Sequence, residues 1–175
     1  DLRKEIAETA KEWASYANLK LDFGHNEANK SFREWAATDT TYAADIRISF
    51  NYAGYWSLVG TDSSDSAIVS PNESSMNFGG YTIKLPPDWK GTVLHEFGHA
   101  LGFQHEHQHP VGGCDSEFRW FDDPSYVKTQ DNYKQYIEDS NGNKPGLYTV
   151  LGGKPNEWPK SKVDFNLRQL GNSSA

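Results

Sequence analysis

The sequence predicts an α+β fold, and three observations carry that prediction. Leu2, Ile6, Ala10, Trp13 and Ala17 recur at steps of three and four. That is the period of one helix face, with Lys4, Glu8 and Lys11 outside it, so a helix is predicted over 2–17. Three short segments then alternate apolar and polar residues: Leu19, Leu21 and Phe23; Ile46, Ile48 and Phe50; Tyr81, Ile83 and Leu85. Alternation at period two is the pattern of a half-buried strand. Finally, an apolar-rich run over 92–103 follows Pro86-Pro87-Asp88, with Asp88 or Thr92 as its N-cap, and predicts a central helix.

The segments between these elements read as loops. Residues 54–66 hold turn formers without an apolar period, and the Asp62/Asp65 pair lacks Ca²⁺-loop spacing, so a solvated loop is expected there. Residues 110–123 are rich in Gly and Asp and are expected to be irregular, with Cys114 an unpaired thiol in that loop. Farther on, Tyr126, Tyr133, Tyr136 and Ile137 have helical spacing, and Ser161-Lys162-Val163-Asp164 matches a capping box ahead of Leu167 and Leu170. Two more short helices are predicted.

Composition bounds the class of function. The chain has 175 residues, 36% hydrophobic and 14% aromatic, with six Trp. Such a chain buries enough apolar surface to fold, and its length fits one domain spanning 1–175. The net charge of -7 and the absence of a Lys/Arg cluster argue against nucleic acid and against an anionic membrane as partners. No apolar run approaches the ~20 residues that span a bilayer. The single cysteine excludes an intrachain disulfide.

The segment that carries chemistry is His95-Glu96-Phe97-Gly98-His99-Ala100-Leu101-Gly102-Phe103-Gln104-His105. Residues four apart share a helix face, so His95 and His99 can direct their imidazoles at one ion. Glu96 projects beside them, placed to touch a water at that ion as general base. Zn²⁺ prefers nitrogen or thiolate ligands in a tetrahedron, and a catalytic site keeps one position for water, so a third protein ligand is required. A straight helix would carry position 105 about 15 Å beyond His95. A left-handed stop at Gly102 lets the chain reverse and bring His105 back to the ion. His107 and His109 follow a complete ligand set and are expected to be exposed or supporting, and His25 to lie in a loop.

With that motif on the page, the chain resembles the metzincin clan of zinc peptidases, whose HExxHxxGxxH pattern reads here HEFGHALGFQH. The continuation His105-Glu106-His107-Gln108-His109-Pro110 resembles astacin-type peptidases and their microbial relatives. So do Ala44-Asp45-Ile46-Arg47-Ile48-Ser49-Phe50, the run from Tyr55 to Asp62, and Ser75-Met76-Asn77-Phe78-Gly79. The resemblance covers roughly residues 1–170. It implies a metzincin-like catalytic domain with a twisted mixed sheet, a long first helix and a central zinc-binding helix. It further implies secretion, a polypeptide substrate and an edge strand near residues 74–79 that pairs with it. Glu106 matches the glutamate that helps fix the mature N-terminus in astacins, though a solvent-facing or locally paired carboxylate is an equal reading.

Metzincins also carry a methionine-containing turn after the third histidine, whereas the one methionine here, Met76, lies upstream. The segment 163–170 resembles the stretch just before that turn. The expectation is therefore a monomeric domain incomplete at both ends, open to complementation by a C-terminal segment, with a divergent domain that lacks the turn as the alternative. Two functions follow: a zinc metalloendopeptidase, with His95, His99 and His105 as ligands and Glu96 as base, or an inactive zinc-binding, peptide-binding domain. A thermolysin-like ligand set fits poorly, because His105 already takes the third position.

Overall fold

The apolar stripe that opens the chain becomes α1 (Leu2–Ala10) in the computed structural model, which describes residues 1–171. The Asp1 carboxylate caps it by accepting the Arg3 N–H at 3.0 Å. The helix is shorter than its period predicts, because Lys11–Ser15 tightens into a 3₁₀ turn. Trp13, in that turn, donates its indole N–H to the Leu94 carbonyl at 3.1 Å and stacks on Phe103 with ring centroids 5.4 Å apart.

Within residues 1–104 a three-stranded sheet follows, made of β1 (Ile48–Ser49), β2 (Tyr55–Ser57) and β3 (Met76–Phe78). It is mixed: β3 lies in the middle, parallel to β1 and antiparallel to β2. Three strand expectations change. Only part of 46–50 is a strand. Leu21 and Phe23 pack on the core from irregular chain, where the Asp22 carboxylate takes the Gly24 N–H at 2.7 Å. Residues 81–85 curl into a turn, because the Ile83 and Lys84 N–H groups both return to the Gly80 carbonyl. Tyr81 is then buried and Ile83 is 90% exposed, the reverse of an alternating strand face. The expected edge strand at 74–79 is also corrected: β3 bonds on both sides, and its Asn77 side chain donates to the Tyr52 and Gly54 carbonyls.

The central helix α2 (Trp89–Ala100) forms where the apolar run predicts it. Asp88 holds the N-cap position, but its side chain makes no capping bond. Ile6 and Ala10 of α1, Met76 and Phe78 of β3, Tyr81, and Val93 and Phe97 of α2 form one buried cluster. Met76 is thus a core residue of the sheet. Each fully buried Val or Phe contributes about 1.5–3 kcal/mol, so this cluster fixes α2 against the sheet and α1. Gly98 permits the approach, since a Cβ there would stand 3.3 Å from the Trp13 ring.

At its C-terminus α2 stops in a Schellman reversal. Gly102 has φ +99°, its N–H bonds the His99 carbonyl at 2.8 Å, and the Phe103 N–H bonds the Gly98 carbonyl at 3.0 Å. Two carbonyls that the helix cannot satisfy are thereby paired.

Residues from His105 onward form a second compact unit. The helix predicted over 126–137 is instead a hairpin, β4 (Thr129–Gln130) and β5 (Tyr136–Ile137), paired antiparallel. Asp131 decides the outcome: its carboxylate accepts the Tyr133 and Gln135 N–H groups, each at 2.9 Å, closing a turn in which Lys134 has φ +65°. Two helices follow, α3 (Leu147–Gly152), which the sequence reading missed, and α4 (Lys160–Leu167). The latter begins before the expected cap, with Ser161 inside it and Pro159 at the N-cap position. Beyond it, Arg168 lays its guanidinium 3.8 Å from the Trp120 ring centroid and pairs with Asp115 at 2.7 Å. The loop at 110–123 is largely irregular as expected, with Cys114 half-buried and unpaired in a short 3₁₀ turn.

Asp139 ties the hairpin to the following loop. Its carboxylate accepts the N–H groups of Val127, Asn141 and Asn143, and the Asn143 amide, at 2.8–3.1 Å. The Val127 bond leads in holding its pKa at about 2, below the ordinary 3.8. Because the folded value is depressed, this stabilisation is complete above about pH 4 and is lost as pH falls towards 2. Thermal unfolding measured from pH 2 to 6 should show that dependence, and Asp139→Asn should lower the midpoint at neutral pH and flatten the acid limb. An unchanged acid limb would remove Asp139 from the account. At Gly102 a Cβ would meet nothing within 4 Å, so the cost of Gly102→Val is all backbone. Denaturant titration should show a loss on the order of 1–3 kcal/mol.

Candidate metal centre

Helix α2 puts His95, Glu96 and His99 on the last two turns before the Gly102 reversal. The two imidazoles stand edge to face, ring centroids 4.6 Å apart, with their Nε2 atoms 3.1 Å apart. Two nitrogens bound at 2.0–2.1 Å to one tetrahedral Zn²⁺ stand roughly 3.3 Å from each other, so this spacing suits a shared ion. The reversal also returns the Phe103 carbonyl to His99, where Nδ1 lies 2.8 Å from it. A carbonyl only accepts, so His99 carries its proton on Nδ1 and presents Nε2 as a lone-pair donor. His95 is exposed, yet desolvation of its ring, then neighbouring His99, lowers its pKa below the ordinary imidazole value. Both causes favour the neutral form that metals bind.

Three residues past Gly102, His105 brings in a third nitrogen. His95, His99 and His105 each offer one ring nitrogen, and these lie within 4.8 Å of one another. The triad read from spacing is therefore assembled. His105 Nδ1 lies 3.2 Å from Gln108 Oε1. Gln108 is buried, and its amide nitrogen donates to the Phe165 carbonyl at 2.9 Å and the Arg168 carbonyl at 3.2 Å.

His107 does not join the triad. Its ring lies 5.2 Å from that of His105, stacked at 16°, and its Nε2 donates to the Asn166 carbonyl at 3.1 Å. His109 is exposed and accepts the Val111 N–H on Nδ1. His25 sits apart in its loop, beside Glu27 and Phe32. Glu106 is exposed in a short 3₁₀ turn.

Glu96 is only 5% exposed, and its Oε2 is buried with no hydrogen-bond partner. Burial pushes the carboxyl up to about 7. A buried carboxylate oxygen with no donor is costly by itself, and its position next to His95 suits a cation and a water. Three imidazoles are a donor set that Zn²⁺ takes in a catalytic site, with the fourth position left to water, so the residues present fit the ion.

The supporting contacts were not legible beforehand. Gln108 has no motif, because the carbonyls that hold it come from 57 and 60 residues downstream. Phe103 acts through its backbone, where residue type gives no signal.

No family model and no curated protein matches the chain. Solved structures do, among them two of myroilysin. One, titled "Structure of myroilysin", aligns with a TM-score of 0.60 and 28% identity, covering 99% of this chain and 64% of that one. The other, "Crystal structure of myroilysin", aligns with a TM-score of 0.51 and 29% identity, covering 99% and 60%. The chain therefore spans less than two thirds of the length of the proteins it matches, and at this level of identity it is similar to them in both sequence and fold.

Proposed function

We propose that this chain is the metal-binding part of a zinc endopeptidase of the metzincin type. One observation carries the proposal: three imidazole nitrogens within 4.8 Å of one another, beside a buried glutamate on the same helix. The similarity in sequence and fold to the myroilysin structures supports the reading. The astacin-like subtype and an extracellular location rest on the sequence resemblance alone.

In this reading His95, His99 and His105 hold one Zn²⁺. Bound there, the ion would polarise the scissile carbonyl and acidify water. The remaining work belongs to the chain. Glu96, kept from bulk solvent, takes the proton of the attacking water and hands it to the departing amine. Its burial favours that task, because a carboxylate shielded from water is a stronger base than an exposed one. The Phe103 carbonyl keeps His99 in one tautomer while this occurs. An extended polypeptide substrate is then proposed to pair with the outer edge of β2, since β3 already bonds on both sides.

A zinc-binding domain without turnover is the competing reading. Glu96 weighs against it, because holding the ion does not require a buried carboxylate in that place. Two substitutions separate the readings. His105→Ala should weaken zinc binding sharply in a competition titration, and unchanged affinity would remove the third ligand. Glu96→Gln should leave zinc content near that of the parent while peptide hydrolysis falls by about 10²- to 10⁴-fold. A Glu96→Gln protein that cleaves at the parent rate would sink the general-base assignment. A zinc-loaded parent that cleaves no peptide in a varied library would favour the binding domain.

A further inference from the structure

Gln108 is buried in the second unit, and all of its polar atoms are engaged. Its N–H bonds the His105 carbonyl at 2.9 Å, and its own carbonyl accepts the Leu170 N–H at 2.8 Å. The side-chain nitrogen faces the Phe165 and Arg168 carbonyls. Both of those groups accept and neither donates, so the carboxamide has only one orientation: NH₂ towards the carbonyls, Oε1 towards His105. An amide oxygen also only accepts. The His105 nitrogen beside it, Nδ1 at 3.2 Å, must therefore carry the proton, which leaves Nε2 with the lone pair.

The carbonyls themselves need this partner. Helix α4 ends at Leu167, and the carbonyls of its last turn have no partner within the helix. Gln108 takes that of Phe165 and His107 takes that of Asn166. The end of α4 and the orientation of His105 are satisfied by one side chain.

We propose that Gln108 is the positioning residue for the third metal ligand: it fixes His105 in the Nδ1–H tautomer and sets its Nε2 towards the ion. The proposal rests on His105 being a ligand. Gln108 touches no reacting atom and acts only through His105. It also links ligand geometry to α4, since anything that frees the Phe165 and Arg168 carbonyls frees the carboxamide to flip.

The test pairs two readouts on the whole chain: zinc affinity by competition with a chromophoric chelator, and the His105 tautomer by ¹⁵N NMR of the metal-free protein at mildly alkaline pH. Gln108→Met keeps the bulk and removes both polar ends. It should weaken zinc binding by about 10- to 100-fold and abolish the Nδ1–H preference. Asp139→Asn serves as a control for destabilisation, because it weakens the hairpin and loop bonds of Asp139 and shares no partner with Gln108. It should lower the unfolding midpoint while keeping the tautomer and the affinity. A parent His105 protonated on Nε2, unchanged affinity in Gln108→Met, or an equal loss of affinity in Asp139→Asn would each overturn the role of Gln108. If His105→Ala leaves zinc affinity unchanged, the metal reading itself fails at His105 and this role falls with it; zinc bound through His105 with Gln108→Met unaffected overturns Gln108 alone.

Discussion

Helix α2 has to stop within one turn of His99, and nearly everything at the candidate metal centre depends on how it does so. Gly102 at φ +99° is the residue that makes the stop. In the reversal, the Phe103 N–H takes up the Gly98 carbonyl, the Phe103 carbonyl returns to His99 Nδ1, and the Phe103 ring lies on Trp13. One local backbone conformation thus closes the helix, orients the His99 imidazole and joins α2 to the turn after α1. A longer α2 would keep the spacing of His95 and His99 and lose all three effects.

A second constraint is the direction of hydrogen bonds. Carbonyls cannot donate, and wherever one meets an imidazole or a carboxamide, the proton's place follows. At His99 the donor is Nδ1, because Phe103 offers only a lone pair. At Gln108 the orientation is set by two such groups. Glu96 contrasts with both, since Oε2 is buried without a donor and the carboxyl pKa rises towards 7. Where the His99 and His105 imidazoles are held by satisfied bonds, the proposed base has an oxygen left without one.

The sequence was most informative where the structure is most local. The eleven residues from His95 to His105 contain their own geometry: helix period, stop and return. All three histidines come together as that pattern requires. The α1 stripe was legible for the same reason, though not its tightening after Ala10, which accompanies a bond from Trp13 to a carbonyl 81 residues away. Strands were read poorly. Alternation at 19–23 marks side chains that pack on the core, but Leu21 and Phe23 do so from irregular chain, and at 81–85 a turn buries Tyr81 while exposing Ile83. The hairpin at 129–137 was mistaken for a helix because tyrosine spacing outweighed a single Asp131, whose carboxylate gathers two N–H groups and forces the turn. Gln108 and α3 carried no pattern at all.

The Gln108 contacts also impose an order in time. The carboxamide at position 108 bonds carbonyls at 165 and 168, so it cannot take its final orientation until the chain has grown at least that far. At typical synthesis rates those sixty residues take about 3 to 12 seconds. During that interval α2 can already have formed with His95 and His99, since its stop is encoded within the next few residues. The closure that follows spans a long loop, and its entropic cost grows slowly with length. The candidate centre is therefore finished late, by α4 rather than by the helix that bears its motif.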